Sequence, residues 1–410
     1  MTQTGTDRGH RAPHVRLLRT CGMVSLAAGV LAIGAAPESP VGVGAPAMAE
    51  TSGARLPAPP ANGVMGFVLH RFTYSVIQGK DACPQGLATK NRERFLESLP
   101  AAEAERLAKK ENEREFMQRW RASLMTADGK NICTHYAHFP DRPLLKTTQS
   151  QFARGLDLDG DASGGPKDPD TCEHEAFTSP DGEKGIDNQA YRALGCKLEW
   201  RGVDGTGGDI VAGFDGFMAS GEWSQVILLR GVDSLVNDDN VEVIYGNTAD
   251  RPVVDSTGKY VWHASFTVTD KLGRFRNVLR GRIVNGVLTT EPKDIRLTYF
   301  PGGNNVSRVS FEYRKGRLRM AFQPDGTLKG VLGGYQPLEV FVASPSRGGM
   351  GTAITAGIDC AGEYNTLRKY ADGIRDPKTG KCTAVSTSMD LAGVPAFVND
   401  VPTKQKIASK

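Results

Sequence analysis

Apolar positions recur with two periods along this chain, and the change from one to the other sets the expected architecture. Residues 64–76 (VMGFVLHRFTYSV) read as an extended strand. Across 91–99 and 101–125, Leu107, Phe116, Trp120 and Leu124 recur at helical spacing, opposite the mixed charges of Glu103, Glu105, Lys109, Glu111, Glu113 and Arg114. That pattern predicts amphipathic helices with a solvated face. From 209 to 343 the period becomes two: Tyr260, Trp262, Ala264, Phe266 and Val268 share one face, as do Val309, Phe311 and Tyr313, and again Leu318, Met320 and Phe322. Side chains of a strand alternate between faces in this way. Turn signals punctuate the runs at Asn237-Asp238-Asp239-Asn240, Asn285-Gly286, Lys315-Gly316 and Asp325-Gly326. The expected fold is mainly β: an antiparallel β-sandwich, jelly-roll or lectin-like, behind a helical N-terminal subdomain, with an open barrel as the alternative.

The ends of the chain change the picture in two ways. Residues 1–49 have the form of a signal peptide, with Arg8, Arg11, Arg16 and Arg19 before an apolar run at 23–36 and Ala47-Met48-Ala49 as a cleavage site. The run is shorter than the about 20 residues needed to cross a bilayer, so no transmembrane segment is expected in the mature chain. A Pro/Ala/Gly linker follows at 50–62, then the helical subdomain at 63–150, an acidic disulfide-closed region at 151–196, the sandwich at 197–345, and a disulfide-closed segment and tail at 346–410. A secreted or periplasmic location follows, and without the leader the net charge falls from +4 to +2, which favours no particular partner and no nucleic acid. Cys83, Cys133, Cys172, Cys196, Cys360 and Cys382 form an even set, and pairing of sequence neighbours (83–133, 172–196, 360–382) is expected among the possible connectivities.

Candidate chemistry gathers upstream of the strands. In residues 155–187 ten carboxylates stand against Lys167 and Lys184, a local charge of −8. Like charges at this density hold a loop open unless a cation or a basic surface offsets them. With Asp157 at position 1 of a calcium loop, Asp159, Asp161, Ser163 and Asp168 fall at 3, 5, 7 and 12. Hard oxygen ligands in this rhythm suit Ca²⁺, although Gly160 and Pro166 place the loop outside a helix–loop–helix. Asp187, with Asp181 and Asn188, is placed either to complete the same set or to form a second site. A competing neutraliser lies downstream: thirteen Lys and Arg between 271 and 330 oppose four carboxylates, with Arg280, Arg282, Arg317 and Arg319 at strand-alternate positions. A second metal reading gathers His135, His138 and His174, with Glu173 or Glu175, around zinc.

The stretches DACPQGL (81–87), GLDLDG (155–160), FTSPDGEKGIDNQAYRALGC (177–196), LGGYQPLE (332–339) and KCTAVSTSMDLAGVPAFV (381–398) resemble a family of exported proteobacterial proteins marked by SPDGxxGIDNQxYRxxGC. The resemblance implies an envelope setting and assigns no activity or catalytic residue. The sequence therefore reads as an exported, calcium-stabilised binding or accessory module for an extracellular or envelope ligand. The alternative is an envelope hydrolase using paired carboxylates or a His-supported metal.

Overall fold

A computed structural model describes residues 55–77, 82–162, 167–202, 208–269, 274–298, 310–347, 354 and 356–400; the expected leader, Ser163 and the tail at 401–410 lie outside the described residues. The strands are β1 (Met65–Tyr74), β2 (Phe177–Thr178), β3 (Lys184–Ile186), β4 (Ser224–Arg230), β5 (Asn237–Thr248), β6 (Ser265–Thr269), β7 (Arg276–Val284), β8 (Val287–Thr290), β9 (Lys293–Thr298), β10 (Ser310–Phe322), β11 (Leu328–Pro337), β12 (Gly373–Arg375) and β13 (Cys382–Asn399). The helices are α1 (Asn91–Glu97), α2 (Ala101–Ala108), α3 (Glu113–Ser123), α4 (Gln189–Leu194), α5 (Leu198–Arg201), α6 (Asp209–Ala219), α7 (Leu338–Arg347) and α8 (Cys360–Lys369).

The expected sandwich is not formed. Antiparallel pairing runs β1–β4–β5–β7–β8–β10–β11–β13, and β13 pairs back onto β1, so eight strands close into a barrel. Its first and last strands come from outside 197–345: β1 precedes that region and the 18-residue β13 follows it. Closure gives each barrel strand two neighbours and removes the free edges an open sheet would expose. Eight strands enclose a space that side chains can fill, and Phe67, Leu69, Ile227, Val243, Leu279, Leu288, Met320 and Leu332 fill it.

Two bulges keep the apolar face inward. In β1 the register shifts between Leu69 and Arg71, so Phe67 and Leu69 point in before it and Phe72 after it. In β10 the shift between Arg314 and Arg317 does the same for Phe311 and Tyr313, then Leu318, Met320 and Phe322. The extra residue of a bulge inverts the alternation. Lys315-Gly316 is therefore a bulge within one strand, with Lys315 at φ 51, and not the hairpin turn its sequence suggests. Asn237–Asn240 likewise lies in β5 beside a register shift. Asn285-Gly286 does turn the β7–β8 hairpin, with φ of 50 and 81.

Residues 209–219, expected within the β region, form α6, whose Phe214 and Met218 enter the barrel core. Phe214 packs with Trp223 at 5.5 Å and Phe72 meets Trp223 at 5.2 Å, edge to face. A second core lies outside the barrel, where α1 to α4, α7 and α8 bury Phe95, Leu107, Trp120, Tyr191, Phe341 and Leu367. The helices expected at 91–125 thus appear as α1 to α3.

All six cysteines pair, but not with their sequence neighbours: the bonds are Cys83–Cys196, Cys133–Cys360 and Cys172–Cys382. Proximity in sequence misleads because α8 and β13 fold back against segments more than 200 residues earlier, separations of 227 and 210. Among the described residues no helix is long and apolar enough to cross a membrane.

Candidate metal centre

The acidic segment lies against the outer wall of the barrel, held there by apolar contact and by arginine. Leu156 and Leu158 are buried with Val331, Tyr335 and Ala384. A Cβ at Gly333 would come within 3.1 Å of Leu156 and 3.3 Å of Leu158, so glycine there admits the loop. From β10, Arg317 donates to the carbonyls of Asp157 and Leu158 at 3.0 Å each, and Arg319 donates to Gly155 O at 3.0 Å and to Glu183 at 2.8 Å. The basic strand is thus one neutraliser of the acidic segment within the same molecule. Arg280 and Arg282 of β7 face outward, exposed, and do not join it.

Of the expected calcium ligands, Asp157, Asp159 and Asp187 are brought together, each offering an oxygen within 4.8 Å of the others. Asp187 follows β3, and its N–H donates to Leu156 O at 3.0 Å, which fixes the carboxylate beneath the loop. There it accepts at Oδ2 from Leu158 N (2.6 Å) and Asp159 N (3.2 Å). Asp161 lies beside the group, its N–H donating to Asp159 Oδ1 at 3.1 Å. Its carboxyl is pushed up by partial burial and by the charges of Asp159 and Asp157. Asp168 turns away: Lys315 reaches it at 2.6 Å and Asp170 at 3.0 Å. Burial of Asp168 is outweighed by that lysine, and its carboxyl is held below the usual range. Asp181 is exposed, and Asn188 caps α4 by accepting from Tyr191 N at 3.3 Å.

The zinc trio is not gathered. His135 and His138 are exposed on a short 3₁₀ turn, Tyr136–His138, and among the described residues the convergent groups contain only His174 of the three. Glu173 and Glu175 are exposed as well. His174 instead joins Asp187 and a residue that sequence reasoning missed, Asp372. Its Nε2 lies 2.7 Å from Asp187 Oδ1 and 3.8 Å from Asp372 Oδ2. Asp372 is 185 positions beyond Asp187, and nothing in its sequence surroundings marks it as a ligand. What brings it in is the Cys172–Cys382 bond, reinforced by Cys172 N donating to Asp372 O at 2.8 Å.

The side chains of Asp159, Asp187 and Asp372 are 0 % exposed. Asp159 Oδ2, Asp372 Oδ2 and the Tyr335 hydroxyl are buried without a hydrogen-bond partner. Lys167 Nζ stands 3.4 Å from Asp159 Oδ2 but does not meet hydrogen-bond geometry. Burial pushes Asp187 up, opposed by His174, and pushes Asp372 up to about 7. Burial lowers His174, but Asp187, Asp372 and the Cys172 carbonyl outweigh it and raise the imidazole to about 9. Burying charge in a low-dielectric setting is unfavourable unless it is paired. Three carboxylates with one imidazolium and a half-exposed lysine leave an excess of buried negative charge and form a pocket suited to a cation.

For the chain without a cation this predicts a pH dependence. Folded Asp372 keeps a proton that the unfolded chain has lost, so its contribution to stability falls as pH rises from 3.8 to about 7. His174 contributes fully below 6.5 and loses that contribution as pH passes about 9. In chelator, the urea midpoint of the wild type is expected to gain on that of Asp372→Asn as pH falls from about 7 to about 4. A difference that does not change over that range rejects the assignment.

Elsewhere a groove of about 580 Å³ opens beside α1 and α3, lined by Asn91, Arg92, Met117, Trp120, Arg121 and Met125. The Arg92 guanidinium stands 4.9 Å from the Trp120 ring.

No protein-family model matches the chain, and neither does any curated protein or solved structure.

Proposed function

We propose that this chain is an exported binding or accessory module of the cell envelope, in which a calcium ion held by Asp157, Asp159 and Asp187 fixes the acidic segment to the barrel wall. The observation that carries the reading is the buried Asp159 carboxylate, whose Oδ2 has no hydrogen-bond partner and only the Lys167 ammonium at 3.4 Å, grouped with Asp157 and Asp187 so that each offers an oxygen within 4.8 Å of the others. An all-oxygen group suits a hard cation, with water completing the six to eight ligands calcium takes. Export is supported by the three disulfides, which persist in oxidising compartments, and by the leader-like residues 1–49.

A supporting role for the ion is favoured by its place between the acidic segment and the barrel wall, where Asp187 is already held by the Leu158 and Asp159 N–H groups. The barrel interior is filled by apolar side chains, so a ligand of such a module meets its outer surface, where the groove beside α1 and α3 offers the exposed Arg92 and Arg121.

Calcium at a hundredfold excess over Kd is expected to stabilise the purified chain by about 2.7 kcal/mol, read as a rise in Tm that chelator reverses and Asp159→Asn abolishes. A calorimetric titration without calcium heat, together with a Tm indifferent to chelator, sinks the reading.

A further inference from the structure

We propose that His174, Asp187 and Asp372 form a second metal site, for a borderline divalent ion of the zinc or manganese type, sharing Asp187 with the calcium position. It rests on the preceding reading only through that shared residue.

The argument begins with the atoms that face away from the centre. A metal-bound histidine or carboxylate is held in place by a hydrogen bond at its other end. All three candidates have one. His174 Nδ1 lies 3.0 Å from the Cys172 carbonyl, which sets Nδ1–H as the donor; Nε2, hydrogen-bonded to Asp187 Oδ1 at 2.7 Å when no metal is present, turns its lone pair to a metal that displaces that proton. Asp187 Oδ2 is occupied by the N–H groups of Leu158 and Asp159 at 2.6 and 3.2 Å, leaving Oδ1 inward. Asp372 Oδ1 accepts from Ser386 N at 2.7 Å, leaving Oδ2 inward. Nε2 meets Oδ1 at 2.7 Å and Oδ2 at 3.8 Å, and the three residues, from three chain segments, each offer a ligand atom within 4.8 Å of the others. Ligands about 2.0–2.2 Å from one ion stand roughly 3–3.6 Å apart. The 2.7 and 3.8 Å separations seen here bracket that range, so small side-chain shifts admit the ion.

An ordinary buried His–Asp pair explains less. It accounts for Nε2 and Asp187 Oδ1, and it leaves Asp372 Oδ2 buried with no hydrogen-bond partner, 3.8 Å from Nε2. A cation held between the three residues would satisfy that oxygen. The imidazole decides the type of ion: calcium takes oxygen ligands, whereas a nitrogen with two carboxylates suits zinc, manganese or ferrous iron. The Cys172–Cys382 bond closes the frame two residues before His174.

The test titrates the oxidised full chain, stripped of metals, with zinc alone and with calcium alone. One zinc equivalent is expected to bind, with an X-ray absorption edge spectrum showing one imidazole among oxygen ligands. Asp372→Asn, which keeps the bond from Ser386, should weaken zinc by 100-fold or more and leave calcium unchanged. Asp157→Asn should do the reverse. His174→Gln serves as the second ligand variant should Asp372→Asn fold poorly. Absence of zinc binding by the wild type overturns the proposal, as does zinc affinity indifferent to both ligand variants or a spectrum without imidazole. Zinc binding without calcium heat removes the calcium reading and leaves this site standing; calcium heat without zinc binding does the opposite.

Discussion

Reducing the three disulfides is expected to unfold this chain under otherwise mild conditions, the largest effect anticipated for any single treatment. The bonds join the first cysteine to the fourth, the second to the fifth and the third to the sixth of the set, so every loop interlocks with the other two. The sequence separations are 113, 227 and 210 residues. A cross-link stabilises mainly by restricting the unfolded chain, by about 2–4 kcal/mol and more for longer loops. Three of them amount to roughly 6–12 kcal/mol, comparable with the whole stability of about 5–15 kcal/mol of an ordinary folded chain. Circular dichroism in urea, with and without reductant, is the measurement. A reduced chain that keeps its cooperative transition at an unchanged midpoint contradicts the account. Replacing only Cys172 and Cys382 by alanine tests the local consequence: zinc affinity should fall with stability, because that bond positions both His174 and Asp372.

How much of this was legible in the sequence depends on how local each cause is. Helices α1 to α3 were readable because Leu107, Trp120 and Leu124 repeat at helical spacing within one segment. The strands were readable from alternation, and so was the Asn285-Gly286 hairpin, whose two left-handed residues are a local requirement. Barrel closure was not, because it depends on β1 meeting β13 across more than 300 residues (Gly66 opposite Ala396), and nothing in either strand names its partner. The bulge at Lys315-Gly316 looks in sequence like a turn, since both need a residue at positive φ and a break in alternation. In the candidate site, Asp157, Asp159 and Asp187 stood out by carboxylate density. Asp161 and Asp168 shared that density, but density does not say which carboxylates a lysine such as Lys315 will claim. Asp372 carried no local signal at all, and the expected pairing of Cys172 with Cys196 directed attention away from the segment that holds it.

The second large effect is expected at Lys197, which belongs to neither proposed metal site. Its ammonium is buried and hydrogen-bonded to Glu363 of α8, and it stands 3.9 Å from Glu199. This pair ties the chain just after Cys196 to α8, where the neighbouring Asp359 is held separately by Arg94 at 2.6 Å and Arg142 at 3.0 Å. Burial lowers Lys197, but Glu363 and Glu199 outweigh it and its net shift is upward. Burial pushes Glu363 up, opposed by Lys197. Removing one partner of a buried pair strands the other charge and destabilises by about 3–5 kcal/mol, whereas replacing both by apolar groups of similar volume is near neutral. Lys197→Met is therefore expected to lose about 3–5 kcal/mol in urea unfolding, and Lys197→Met with Glu363→Met to recover most of it. The single variant should also regain stability as pH falls: the folded state holds Glu363 protonated where the unfolded chain does not, so acid relieves the stranded charge. A double variant as unstable as the single one would show that the lysine acts through packing and not through its charge, and a single variant with wild-type stability would show that Glu363 finds another partner or reaches water.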